Sequence, residues 1–199
     1  MPHTETRYCA LLIDLDGVLR RWPETDHALE MEHGLPPGSI REAAFDRPLL
    51  QRAVTGELTD NAWRECVAAR LALAFPDARA SDAIASWSRP YGDIDGAVFA
   101  LVKHVAKKLR IVVVTNGTSR ARQDLDALGI TPHLFTVVNS SEIGIAKPDP
   151  RVFFAAMEAV GAEPHQLLFV DDSPSNVNIA QALGIRSLCF SGAKSLEDF

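Results

Sequence analysis

Short apolar runs alternate with stretches of helical spacing from about Gly92 to the C-terminus. This alternation limits the possible folds more than any other feature of the chain. Runs at 111–115, 135–138, 167–171 and 186–190 read as strands. Between them, apolar residues recur at helical intervals, and helices are expected to end near Gly129, Gly161 and Gly184. The first helix carries Val98, Leu101, Val102, Val105 and Leu109 on one face. Strand and helix in regular alternation imply right-handed crossovers and a doubly wound parallel sheet, an α/β fold. A further apolar run at 9–15 is continuous rather than alternating, as expected for a strand buried on both faces. Alone it can satisfy neither its backbone nor its side chains, so it belongs to the same sheet.

The segment between has another texture. Residues 20–91 contain no convincing strand, whereas Trp63, Val67 and Leu71 recur every four residues after Thr59, a candidate N-cap. Ile84 and Trp87 follow Ser81 in the same way, and prolines at 36, 37, 48, 76 and 90 punctuate the segment. It reads as four or five short helices with a core of their own, inserted after the first strand. The expected division is a catalytic core of 1–19 with 92–199 and a helical cap of 20–91.

In an open α/β sheet, ligands bind beyond the carboxyl ends of the strands. Those ends carry Asp14-Leu15-Asp16-Gly17, Thr115-Asn116-Gly117 and Asp171-Asp172-Ser173, and a connection carries Lys147-Pro148. Each piece alone has an ordinary explanation: Asp16-Gly17 or Asn116-Gly117 as a tight turn (like Asp95-Gly96), the acids before Pro174 as a helix cap, Lys147 as a surface lysine. Together they bring four carboxylates to one crevice, where they repel one another unless a cation is present. Oxygen ligands of this kind suit a hard divalent ion, Mg2+.

The set Asp14-x-Asp16-Gly17-Val18, Thr115-Asn116-Gly117, Lys147-Pro148 and Asp171-Asp172-Ser173 resembles the four signature motifs of the haloacid dehalogenase (HAD) superfamily, in that family's order. The helical insertion resembles the family's small cap. The resemblance implies a Rossmann-like core and an aspartyl-phosphate mechanism. Asp14 would be the nucleophile. Asp16 would protonate the leaving group, then deprotonate water, and its main-chain carbonyl would bind Mg2+. The Thr115 hydroxyl and the amides of Asn116 and Gly117 would bind phosphoryl oxygens. Lys147 would neutralise developing charge, and Asp171 and Asp172 would hold Mg2+, with the direct ligand left open between them. The family's dehalogenases resemble this motif but lack an acid two residues after the nucleophile, so Asp16 favours phosphoryl transfer. The implied activity is hydrolysis of a small phosphomonoester, such as a sugar phosphate, phosphoglycolate or nucleoside monophosphate. Alternatives are a phosphomutase and a binding domain that kept the fold without turnover.

Arg20, Arg21 and Trp22 follow the catalytic loop and could reach the substrate; a solvated basic linker with one packed indole explains them equally well. Arg47, Trp63 and His27 are weaker contacts, and Trp63 fits core packing better. No histidine lies two to four residues from another, so none is assigned a role.

Charge sets the remaining bounds. The 26 acidic and 20 basic residues give a net charge of −6, against a nucleic-acid polymer as partner. A small phosphate can still bind, with Mg2+ and Lys147 supplying positive charge locally. No apolar run approaches the roughly 18 residues of a membrane span, and the apolar stretch 8–13 is too short for a signal peptide. Cys9, Cys66 and Cys189 are widely spaced without a C-x-x-C, as expected for buried or half-buried free thiols in a reducing cytoplasm. The oligomeric state is left open.

Overall fold

The computed structural model describes residues 8–199; residues 1–7 of the expected core segment lie outside the described residues. The chain opens with β1 (Ala10–Ile13), buried at every position, and crosses outward through β2 (Arg20–Arg21). Five helices follow: α1 (Asp26–His33), α2 (Ser39–Ala44), α3 (Arg47–Val54), α4 (Asp60–Ala74) and α5 (Ala80–Trp87). The chain returns through β3 (Asp93–Ile94) and then alternates: α6 (Gly96–Val105), β4 (Arg110–Thr115), α7 (Ala121–Ala127), β5 (Thr136–Asn139), α8 (Ser140–Ile143) and α9 (Pro150–Val160). It ends with β6 (Leu167–Asp171), α10 (Pro174–Ala182), β7 (Arg186–Cys189) and α11 (Ala193–Glu197).

The main sheet has the order β5-β4-β1-β6-β7, and all its pairs are parallel. Side-chain parity explains the continuous apolar runs. Leu11 and Ile13 of β1 and Ile111 and Val113 of β4 pack on one face with Val98 and Val102 of α6. Their neighbours Ala10, Leu12, Val112 and Val114 pack on the other face with Val152, Phe153, Ala156 and Val160 of α9. Both faces are therefore apolar. Each large side chain buried there contributes about 1.5–3 kcal/mol, and Phe153 meets Phe169 edge to face at 5.0 Å.

The inserted helices have a core of their own, built from Leu35, Ile40, Leu49, Trp63, Val67, Leu71 and Ile84 among others. Thr59 caps α4 by accepting from Ala62 N at 3.2 Å. Trp63 is buried, meets Trp87 at 5.7 Å and donates to the Ala44 carbonyl, so it belongs to this core. His27 and Arg47 are exposed.

Several local expectations need correction. The absence of strand in 20–91 fails at its first residues: Arg20 and Arg21 pair antiparallel with Ile94 and Asp93. Two-residue strands are too short to leave a periodic signal. Ser81 lies inside α5 rather than before it, and α6 ends at Val105, short of Leu109. Asp95 is not a tight turn but the cap of α6, accepting from Ala97 N and Val98 N at 3.1 Å. Cys9 and Cys66 are half-buried free thiols, but Cys189 is exposed because β7 lies at the sheet edge. No helix among the described residues is long and apolar enough to cross a membrane.

Polar bonds tie the bundle to the core. Thr118 Oγ1 donates to Asp60 Oδ1 at 2.7 Å, and Asp60 N donates to Ser119 Oγ at 2.9 Å. Arg120 donates to the carbonyls of Ser88 and Pro90 at 2.5 and 2.6 Å. Gly56 lies so near α8 that a Cβ there would meet the Ser141 carbonyl at 2.1 Å.

Candidate active site

Chain order decides where the site sits. From β1 the chain builds outward on one side through β4 and β5, then returns to build β6 and β7 on the other side. The connections therefore diverge between β1 and β6, which is where an open α/β sheet leaves its crevice. Asp14 follows β1 and donates its N–H to the Val170 carbonyl at 2.9 Å; Asp171 is the last residue of β6. The backbone register places the two carboxylates side by side.

Lys147 joins them. Its Nζ lies 2.8 Å from Asp14 Oδ1 and 2.6 Å from Asp171 Oδ2, and its side chain is 1% exposed. Asn116 holds the loop that delivers it: Lys147 N donates to Asn116 Oδ1 at 2.7 Å, and Asn116 Nδ2 donates to the Lys147 carbonyl at 2.9 Å. Thr115, at the end of β4, is buried. The N–H groups of Asn116 and Gly117 donate to no backbone acceptor among the described residues.

The acids divide by environment. Asp14 Oδ1 accepts from Lys147 and from Leu15 N. Burial pushes the Asp14 carboxyl up to about 7; Lys147 opposes this and Asp171 adds to it. Burial also works against the Lys147 ammonium, yet Asp14 and Asp171 raise it above the ordinary lysine value. Asp171 is saturated: Oδ1 accepts from Ser173 N and Asn176 Nδ2, and Oδ2 from Lys147 and Asn176. Asp172 receives no side-chain donor from another residue among the described residues. Its carboxyl is pushed above the usual range, by burial first and then by Asp171. Carboxylate oxygens of Asp14, Asp171 and Asp172 all lie within 4.8 Å of one another, a donor set that suits a hard cation.

The expected cluster of four acids is a cluster of three. The Asp16 side chain turns to β2 and the residue after it, where Arg20 Nε and Nη2 bind its two oxygens at 2.7 and 2.9 Å and Trp22 Nε1 donates at 2.7 Å. Arg20 is buried, not part of a solvated linker, because it also meets Asp124 Oδ2 at 2.8 Å. Arg21 is exposed and reaches Asp95 at 2.6 Å. The Asp16 carbonyl accepts no backbone hydrogen bond among the described residues.

Two supporting residues escape a sequence reading. Asn176 on α10 binds both Asp171 oxygens, at 2.9 and 3.0 Å. Asn139 is fully buried at the end of β5 and donates to the Thr118 carbonyl at 3.0 Å and to Ser141 Oγ at 2.8 Å. The strand-end argument that selects Thr115 would have selected Asn139 too. Asn176 has no such signal.

Two buried carboxylates on one ammonium, with a third carboxylate beside them at the switch point of a parallel sheet, define an α/β protein with an acid–lysine centre. A sequence model of the haloacid dehalogenase-like hydrolases matches residues 9–184, and the chain belongs to that family. It is 30% identical over 207 residues to the phosphoglycolate phosphatase of Rhodospirillum rubrum, covering 94% of this chain and 81% of that protein. It is 31% identical over 144 residues to the mouse haloacid dehalogenase-like hydrolase domain-containing protein 3, covering 68% of this chain but only 57% of the mouse protein. A HAD family enzyme from Bacteroides thetaiotaomicron, solved with magnesium and inorganic phosphate, shares the fold: its TM-score is 0.75 at 22% identity, covering 92% of this chain and 94% of that one.

Proposed function

We propose that the chain is a Mg2+-dependent phosphomonoesterase acting on small phosphate esters, with residues 20–91 as a cap over the site. One observation carries this reading: Asp14, bound to Lys147, stands at the switch point with a second acid, Asp16, two residues on. Lys147 and Leu15 N occupy Asp14 Oδ1, which leaves Oδ2 to attack phosphorus. The Asp14–phosphorus bond forms as the ester P–O bond breaks, and the leaving oxygen takes a proton from Asp16 Oδ2, the oxygen that carries a single donor, Arg20 Nη2, while Oδ1 keeps Trp22. Water then attacks phosphorus and gives a proton back to Asp16, and the acyl-phosphate P–O bond breaks to release inorganic phosphate and Asp14. The amides of Asn116 and Gly117, which donate to no backbone acceptor among the described residues, and the Thr115 hydroxyl would receive the phosphoryl oxygens.

Asp14, Asp172 and the Asp16 carbonyl would hold the cation; among the described residues, Asp172 accepts from no other side chain and the Asp16 carbonyl from no backbone donor, whereas Asp171 is committed to Lys147, Asn176 and Ser173. The bound ion would supply charge neutralisation at the phosphoryl group. The names of the phosphatase relatives support the same reaction class. In a metabolite screen, phosphate release in proportion to ester consumed, abolished by EDTA and restored by Mg2+, is expected. Isomerisation without release would make the protein a mutase, and no release from any ester would overturn the reading.

The raised Asp14 pKa has a sign that can be tested. Without metal, the native state keeps a proton that the unfolded chain releases near pH 3.8. This group therefore lowers stability as pH rises from about 4 to about 7, with no further change above. A cation bound to ionised Asp14 reverses that loss, so Mg2+ raises Tm more at about pH 8 than at about pH 5.5. Equal gains at both would remove Asp14 from the metal site.

Gly17 offers a second test. Its φ is +86°, and a Cβ there would meet Asp172 Oδ2 at 2.1 Å. Gly17→Ala must push that carboxylate aside, and the half-saturating Mg2+ concentration is expected to rise by about tenfold or more. An unchanged Mg2+ titration would show that Asp172 is not a ligand.

A further inference from the structure

Arg20, Arg21 and Trp22 leave the catalytic loop together, and of the three only Trp22 offers exposed aromatic surface. Arg20 spends its guanidinium on Asp16, Asp124 and the Tyr91 carbonyl. Arg21 is exposed and makes one surface ion pair, with Asp95. Trp22 remains 45% exposed, although it is held in place twice. Its Nε1 donates to Asp16 Oδ1 at 2.7 Å, and Arg20 Cζ lies 4.3 Å from its ring centroid. One face of the indole is therefore covered by a guanidinium that is itself fixed by a buried carboxylate. The surface that stays exposed is what remains for a ligand. An indole anchored at its N–H and on one face loses little further freedom when a ligand packs on the second.

What would occupy that face follows from the role of Asp16, so the inference rests on the phosphatase reading above. An oxygen that takes a proton from Asp16 must come within about 3 Å of that carboxylate. Trp22 is hydrogen-bonded to the same carboxylate. The carbon skeleton attached to the leaving oxygen is thus carried alongside the indole. A skeleton with a flat face stacks there, whereas a short acyclic one leaves the indole wet. The geometry points to Trp22 as the specificity-determining residue of the site, selecting phosphate esters whose leaving group carries a ring, such as a pyranose or a nucleoside, over acyclic esters such as phosphoglycolate or glycerol phosphate.

The test compares Trp22→Ala and Trp22→Phe with the parent on glucose 6-phosphate, a nucleoside 5′-monophosphate, glycerol 3-phosphate and 2-phosphoglycolate, with Mg2+ present. The parent should favour the ring esters in kcat/KM. Trp22→Ala should lose about tenfold or more on ring esters and less than about threefold on the acyclic pair, whereas Trp22→Phe should keep the preference. Equal losses on both ester classes in Trp22→Ala, or a parent that favours the acyclic pair, would overturn the inference. If Trp22→Phe loses as much as Trp22→Ala, the indole acts through its N–H on Asp16, and the inference also falls.

Calorimetric binding of the same esters to Asp14→Asn and to Asp14→Asn/Trp22→Ala separates this inference from the reading beneath it. A loss of about tenfold or more in ring-ester affinity, with acyclic esters unchanged, supports the platform even if the parent hydrolyses nothing, in which case only the phosphatase reading fails. Affinities independent of Trp22 would remove the platform even if the parent is an active phosphatase.

Discussion

Asp14→Asn is expected to abolish phosphate release while leaving the fold standing. Asparagine keeps the shape and the carbonyl oxygen but cannot form the acyl-phosphate, so turnover should fall by about 10⁴-fold or more. The structural cost should be small for a definite reason. Burial already disfavours the Asp14 charge, and Lys147 keeps a second partner in Asp171. The metal-free variant should therefore melt no lower than the parent near neutral pH, and its melting temperature should respond less to Mg2+. Phosphate release within about tenfold of the parent would take the nucleophile role from Asp14.

Lys147→Met is expected to have the largest effect on stability. Lys147 is the only ammonium within ion-pair distance of Asp14 and Asp171 among the described residues, and both carboxylates are buried. Removing one partner of a buried ionic group leaves the others uncompensated, at a cost of about 3–5 kcal/mol. Asn176 and Ser173 N still serve Asp171, so the burden falls on Asp14. The loss should shrink as pH falls and Asp14 takes up a proton, and it should shrink again in the double variant Asp14→Asn/Lys147→Met. Denaturant unfolding at about pH 8 and about pH 5.5 reads both effects. A loss below about 1 kcal/mol at the higher pH would mean that the lysine does not hold the acid centre together.

The helical bundle was legible as an insertion because Trp63, Val67 and Leu71 repeat at helical spacing and bury one stripe together. The sheet was legible because Leu11, Leu12 and Ile13, like Val112, Val113 and Val114, are apolar at successive positions in short runs, as a strand covered on both faces requires. Strand ends located Asp14, Thr115 and Asp171 by the same logic. The short strands β2 and β3 and the helix α8 were not legible, since two to four residues carry no period. Nor was the support given by Asn176, a polar residue whose meaning depends on which carboxylate faces it.

By itself, then, the sequence determined the layers, the order of the strands along the chain and which polar residues reach the carboxyl edge, because periodicity and strand ends are local properties. Only the tertiary structure decided how those residues divide. Asp171 is committed to Lys147 and Asn176, Asp172 receives no side-chain donor from another residue among the described residues, and Asp16 is bound by Arg20 and Trp22. Each division is a competition among donors for carboxylate lone pairs. The competing groups come from β2, α10 and the loop before α9, segments far apart along the chain that meet only once the sheet has closed its crevice between β1 and β6.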